Sequence, residues 1–500
     1  MSNLVFLSAS ELAKLIRDTG KPTLRERKFG AVEVLEAHLA HITQHNSTLN
    51  AICTLNTEAA RQQAQQADIA LSRGEIWGKL HGVPITIKDA ISTAGLRTTA
   101  GYLPLKDYIP ERDATVVARL KAEGAIILGK TNLAESSADW QGINDIFPRV
   151  NNPSNLDYTP GGSSSGGAVA TVAGLSPLDI CSDFGGSIRQ PAHFCGVYGL
   201  KPTDRRVPTT GHIPEIPGMP RCIRQFLTIG CLARSIEDLQ LCLEIIAGAD
   251  QFQPDIPPVP LDTPSNKPLQ QLRIAWADEW EHFPVASEIK SVIQLAVKKL
   301  IDQKLNIQQW VPNFDFIEAW QLYYKVATYN LIYSQPNTLN YTRKSLAFLW
   351  RETTGGERQL QNISQVAKTA LSVFLNPSLK GYFEALTQRD QMISQMDTEL
   401  KPWDIYLCPV AMTPAFTHRP KGEAIEIDGQ KVPYMMASGA YTIPFSLTGH
   451  PVVIIPIGQT QKGLPVGLQI IGKRWQEMEL LSIAKQINLI IGDFKHPPGY

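Results

Sequence analysis

Apolar positions recur every three to four residues through the first part of the chain. Val32, Val34, Leu35, His38, Leu39 and Ile42 run near a helical period, and Ser8 with Glu11 three residues later forms a capping-box pattern. The spacing predicts helix over 8–72. His38, His41 and His45 fall three and four apart, on one helix face, where a surface trio is the expected reading and a metal site the weaker one. From Leu80 the texture changes. Gly82-Val-Pro-Ile-Thr-Ile-Lys-Asp89 is a β-rich run ending in two charges. Ala114 to Glu123 reads as a short amphipathic helix stopped by Gly124, and Ala125-Ile-Ile-Leu128 as a buried strand. Between 159 and 201 Gly and Ser are dense and charge is sparse. Helix, strand and glycine loop alternate, which predicts an α/β fold.

Residues 254–268 hold six prolines in fifteen positions and read as a connector. Leu272–Trp276 is predicted as a strand. Ser287 to Leu305 is predicted as an amphipathic helix with Ile289, Val292, Ile293, Ala296, Leu300 and Ile301 on one face. Residues 310–350 contain eleven aromatics, which suit either helix packing or an apolar wall for a substrate. Val452-Val-Ile-Ile-Pro-Ile457 reads as a buried strand and is too short to span a membrane.

Charge then narrows the function. The 500 residues carry 47 Lys plus Arg against 47 Asp plus Glu, so no electrostatic case exists for nucleic acid or an anionic membrane as the main partner. A hydrophobic share of 43% without repeats excludes a disordered or fibrous chain. The seven cysteines are scattered and form no C-x-x-C, which fits reduced thiols better than disulfides or structural zinc. The start has no basic n-region, so a cytoplasmic location is expected.

Three motifs compete for the chemistry. Gly124-Ala-Ile-Ile-Leu-Gly129-Lys130-Thr131 matches the P-loop pattern, but its interior is a β-branched strand preceded by a helix, and a phosphate cradle needs a flexible loop between strand and helix. Gly162-Ser-Ser164-Ser-Gly166 satisfies G-x-S-x-G. A nucleophile elbow needs a strand feeding into it, and here a polar loop with prolines, 151–160, precedes. The third candidate is a pair of glycine–serine nests, Gly161-Gly-Ser-Ser-Ser-Gly-Gly167 and Asp183-Phe-Gly-Gly-Ser-Ile-Arg189, joined by a small-residue helix and a strand near Leu178–Cys181. Gly185 and Gly186 free the backbone before Ser187, so consecutive N–H groups can converge as an oxyanion hole requires. A hydroxyl nucleophile needs a base. His193 is the only histidine close to either nest. Lys88 is the other candidate, provided that burial lowers a pKa that is ordinarily near 10.4; otherwise it is a surface lysine.

These residues resemble the amidase signature enzymes. The resemblance rests on 82–89, Gly129-Lys-Thr-Asn132, Pro160–Gly167 and Asp183–Pro191. It continues through Phe194-Cys-Gly-Val-Tyr-Gly-Leu-Lys-Pro-Thr203 and Leu464-Pro-Val-Gly-Leu-Gln-Ile-Ile-Gly472. It implies one α/β/α domain over 1–500 with a large mixed sheet covered by helices. Within it are N-terminal helices (1–75), a core (80–250), the connector, a helical substrate-shaping region (270–400) and a C-terminal return to the sheet (401–500). It implies a triad of Ser187 as nucleophile, Ser163 as bridging serine after a cis peptide bond, and Lys88 as base. The N–H groups of Phe184, Gly185, Gly186 and Ser187 would hold the oxyanion, and Ser164, Asp183 and Arg189 would support the loops. No metal or organic cofactor is implied. The expected partner is a small-molecule amide, and the oligomeric state stays open, a homodimer included. Phe184 departs from the small or β-branched residue common before Gly-Gly-Ser. A stand-alone amidase with an apolar or aromatic substrate is the expected function. The alternatives are a glutamine amidotransferase A-type subunit, an acyltransferase that forms amide bonds, and a non-enzymatic scaffold. The segment after Thr203 departs from what such an amidotransferase carries.

Overall fold

A computed structural model describes residues 4–18, 29–216, 221–265, 267–334, 368–369 and 371–500. The N-terminal stretch divides into helices α1 (Ala9–Asp18), α2 (Ala31–Leu49) and α3 (Thr57–Ser72). Its capping box forms: the Ser8 N–H donates to Glu11 Oε2 at 2.8 Å and the Glu11 N–H to Ser8 Oγ at 3.2 Å. Residues 19–28 of the predicted helix lie outside the described residues. Strand β1 (Ile52–Leu55) interrupts the helical run because it pairs antiparallel with β3 (Ile126–Thr131). The histidine trio is only partly a surface feature: His41 and His45 are half-buried and His38 leaves the surface. His38 is fully buried and hydrogen-bonds Val34 O through Nδ1, while His41 packs between Phe6 and His45. An imidazole body contributes apolar area like any other ring, which a face-counting argument overlooks.

The remaining strands are β2 (Pro84–Lys88), β4 (Leu178–Asp183), β5 (Tyr198–Lys201), β6 (Thr228–Ala233), β7 (Arg273–Trp276), β8 (Asn306–Gln309) and β9 (Ile405–Pro409). A small ribbon, β10 (Ile425–Ile427) with β11 (Gln430–Val432), stands apart, and β12 (Val452–Gln459) and β13 (Pro465–Ile471) close the series. Eleven of these form one mixed sheet in the order β1-β3-β2-β4-β6-β5-β12-β13-β9-β7-β8. The pairs β2–β3, β2–β4, β7–β8 and β7–β9 are parallel and the others antiparallel. The last hairpin, β12–β13, sits mid-sheet and joins the strands of 52–233 to those of 273–409. Every residue of β2, β3, β4, β6 and β13 is buried. Successive side chains point to opposite faces, so both faces are covered and the fold is α/β. No helix among the described residues is long and apolar enough to cross a membrane.

Helix α4 (Thr115–Ala122) precedes β3, α5 (Ser165–Val172) runs between β3 and β4, β4 feeds α6 (Arg189–Cys195), and α7 (Ile236–Ile246) follows β6. The phosphate-cradle pattern resolves as strand β3, with Lys130 buried and donating to Ile91 O and Thr93 Oγ1. Helix α8 (Ser287–Asp302) stops short of the predicted Leu305, where Lys304 turns left-handed (φ 58°) ahead of β8. Its buried face uses Val297, and Ile301 is 52% exposed. The aromatic block divides between roles. In α9 (Phe316–Ser334), Phe316 stacks on Trp280 with ring centroids 3.8 Å apart, and Trp320 is buried beside Phe283. Residues 335–350 of the block lie outside the described residues.

Gly166 lets α5 press against the start of β1: a Cβ there would overlap backbone atoms of Ala51 and Asn132. Neither neighbour is a flexible side-chain end, so backbone must shift. Gly166→Ala is expected to cost about 1–3 kcal/mol and to lower the melting temperature. An unchanged melting curve would contradict this packing.

Candidate active site

Lys88 is the last residue of β2, deep between β3 and β4, and is fully buried. Its Nζ donates to Ser163 Oγ at 2.7 Å, to Ser182 Oγ at 3.1 Å and, at 3.5 Å, to Ser182 O. Desolvation drives its pKa from the ordinary 10.5 down to about 8, against the opposing pull of Cys181, Asp183 and Asp179. At pH 7 that leaves roughly a tenth of the amine uncharged, against about 0.03% for an exposed lysine. The surface-lysine alternative is therefore excluded.

Ser163 follows a cis Gly162–Ser163 peptide and lies in the loop before α5. Ser164 caps that loop onto the second nest: its N–H donates to Ser187 O at 3.2 Å and its Oγ to Ser182 O at 3.2 Å. Gln190 Oε1 accepts the Gly162 N–H at 3.2 Å, a second tie between the nests. Ser187 stands between β4 and α6 and is 7% exposed; its hydroxyl has no hydrogen-bond partner among the described residues. The structure thus joins Lys88 to Ser163 directly and ties Ser187 to that pair through the one backbone bond from Ser164; no hydrogen bond links the Ser163 and Ser187 hydroxyls among the described residues.

The second nest is pinned by a buried ion pair. Arg189 Nη2 donates to Asp183 Oδ1 at 2.8 Å and Nε to Oδ2 at 3.0 Å, with both side chains out of solvent. Burial alone would raise the Asp183 pKa, but the Arg189 charge and hydrogen bonds hold it at about 2. The carboxylate also accepts the N–H groups of Gly186 at 2.8 Å and Ile188 at 3.0 Å. This changes one expectation. The Gly186 N–H is engaged by Asp183, which leaves those of Phe184, Gly185 and Ser187 without an acceptor among the described residues. Gly186 has φ 125°, and a Cβ there would meet Thr442 Oγ1 at 2.6 Å, so glycine is required. Thr442 in turn donates to Gly185 O at 2.8 Å.

Residues without an assigned role in the sequence reading complete the site. Tyr323 of α9 stacks on Phe226 with centroids 4.9 Å apart and lies 5.7 Å from Phe184. A Cβ on Gly185 would fall 2.6 Å from the Tyr323 hydroxyl, which places that ring directly above the nest. Of the aromatic block, Tyr323 therefore stands beside the nest, while Phe316 and Trp320 serve packing. His212, from the loop after β5, reaches Ser182 Oγ through Nε2 at 2.8 Å. His193, the nearby histidine in the sequence, is not a free base. Its Nδ1 accepts the Gly467 N–H at 2.7 Å and Nε2 faces Thr413 O at 3.4 Å, while burial lowers its pKa to about 4.

The family pattern described as Amidase matches residues 33–481. The chain belongs to the amidase family. It is 30% identical over 493 residues to the A-type subunit of glutamyl-tRNA(Gln) amidotransferase from Koribacter versatilis (strain Ellin345), covering 94% of this chain and 97% of that one. A solved structure described as an amidase is 26% identical, covers 97% of this amidase-family chain and 100% of its own, and superposes with a TM-score of 0.78. The A-type subunit of glutamyl-tRNA(Gln) amidotransferase from Thermotoga maritima is 25% identical, covers 99% and 98%, and superposes with a TM-score of 0.73. The curated relatives run against the expectation of a stand-alone enzyme rather than an amidotransferase component.

Removing Arg189 strands the Asp183 charge in the interior. Arg189→Met is expected to cost about 3–5 kcal/mol of stability, seen as a large drop in melting temperature. The Asp183 pKa lies below the ordinary carboxylate value, so its stabilisation is present above pH ~4 and is lost as pH falls toward 2. A pair-breaking variant with unchanged acid stability would contradict this.

Proposed function

We propose that this amidase-family enzyme cleaves a carboxamide C–N bond through an acyl-enzyme on Ser187. The observation that carries the reading is the 2.7 Å separation of Lys88 Nζ and Ser163 Oγ, both side chains fully buried, across which the Ser163 O–H donates once the amine is uncharged. Uncharged Lys88 takes the Ser163 proton while Ser163 takes that of Ser187. The Ser187 oxygen then bonds to the amide carbon, and the carbonyl electrons move to oxygen. The N–H groups of Phe184, Gly185 and Ser187 receive that oxyanion. Collapse breaks the C–N bond, and the relay run backward returns the proton to the departing nitrogen as ammonia or an amine. A second nucleophile, water in a hydrolase, attacks the ester through the same relay.

Two substrates compete for this chemistry. The aromatic cluster of Tyr323, Phe226 and Phe184 beside the nest favours an amide with an apolar or aromatic acyl group. The names of the curated relatives favour the second reading, an amidotransferase A-type subunit whose released ammonia passes to an acceptor on glutamyl-tRNA(Gln). Ammonia release separates them. Turnover of apolar amides by the chain alone supports the first, and turnover of glutamine that requires partner subunits supports the second.

Under either reading Ser187→Ala should lower turnover by at least about a thousandfold, and retained activity would overturn the nucleophile. Lys88 must be uncharged to act, so the rate should climb with pH through about 8 and level off above 9. A rate that is flat from pH 6 to 10 would exclude it as the base. Burying this amine costs stability on the order of 3 kcal/mol below pH 8. Lys88→Met should therefore be inactive yet melt no lower than the unsubstituted protein, and a sharp drop in melting temperature would contradict the desolvation account.

A further inference from the structure

Lys88 donates to two oxygens of Ser182, and His212 stands behind that serine. The ring is 4% exposed, with Nε2 2.8 Å from Ser182 Oγ and Nδ1 2.6 Å from the carbonyl oxygen of Ile213. A carbonyl only accepts, so Nδ1 carries the hydrogen. Burial, with the Lys88 and Lys130 charges facing the ring, pushes its pKa down to about 3 and keeps it neutral. Nε2 then offers a lone pair, and the Ser182 hydroxyl must donate to it. What Ser182 Oγ turns to Lys88, 3.1 Å away, is an acceptor.

An uncharged amine has two N–H donors and one lone pair. With the donors engaged by Ser182 Oγ and Ser182 O, the lone pair is left for Ser163 at 2.7 Å. We propose that His212 is a positioning residue: acting through Ser182, it holds that hydroxyl as an acceptor and so reserves the lone pair of Lys88 for Ser163. This rests on the reading of Lys88 as the base. Without His212 the Ser182 O–H is free to turn and donate to the lone pair, where it competes with Ser163. Asp179, Cys181 and Asp183, which also face Lys88 from β4, act on its charge and stay in place. The backbone of the loop is fixed independently: the Ser92 N–H donates to Gly211 O at 2.9 Å and the Ile213 N–H to Ala90 O at 2.8 Å.

The test is the rate at which a fluorophosphonate labels Ser187 in the full chain from pH 6 to 10. His212→Phe is expected to label about ten- to a hundredfold more slowly at its plateau, a fraction of what proton transfer itself contributes. Its inflection should also move to lower pH, because the turned hydroxyl stabilises the uncharged amine. His212→Gln, whose Oε1 accepts where Nε2 did, should recover most of the rate. In a Ser182→Ala background the same His212 substitution should change labelling by less than about twofold. His212→Leu replaces the phenylalanine if the larger ring does not fold. Slow labelling with an unmoved inflection, no recovery by glutamine, or a full loss persisting without Ser182 overturns the inference alone. Absence of Ser187 labelling in the unsubstituted protein overturns the nucleophile and this inference with it.

Discussion

The amine of Lys88 is held out of water at the end of β2, and its surroundings decide which protonation state persists there. A charged ammonium in that position forgoes hydration and has no carboxylate in direct contact among the described residues. Asp179 and Asp183 act on it only from a distance, and desolvation outweighs them. The same burial brings Ser163 and Ser182 into contact with Nζ, since hydroxyls are what β4 and the loop before α5 offer at that depth. Stability is given up to hold a reactive group, a common condition of active sites.

Around that amine the two serine nests are tied together by parts of the chain far apart in sequence. Arg189 binds Asp183, Thr442 O at 2.7 Å and Ser446 Oγ at 2.7 Å, so one guanidinium anchors the second nest to the helix Ile443–Leu447. Thr442 then holds Gly185 from the outside and leaves no room for a side chain on Gly186. Asp183 uses its remaining lone pairs on the Gly186 and Ile188 N–H groups, which shapes the turn but removes one donor from the oxyanion cup. The bidentate pair sets the loop conformation as well as neutralising a buried charge.

Much of this was legible along the chain because it is local. The strand ending at Lys88, the paired Gly–Ser turns and the small-residue helix between them are written in consecutive residues, and the capping box at Ser8 formed as read. What escaped depends on contacts between distant segments. His212 lies thirty positions from Ser182, and nothing in its own neighbourhood marks it as facing Lys88. Tyr323 was one of eleven aromatics, and only the packing of α9 singles it out from Phe316 and Trp320. His38 shows the converse error, where helical spacing put a histidine on a face and tertiary packing buried that face. Strand β1 was missed because four residues beside two long helices carry too little period to stand out.

The charge of the buried amine is open to direct observation. The Lys88 side-chain 15Nζ resonance, assigned by its loss in Lys88→Met, can be followed from pH 6 to 11. Desolvation of the amine predicts a titration near pH 8, set apart from the exposed lysines. A Lys88 resonance that titrates with the others near the ordinary lysine value would contradict it.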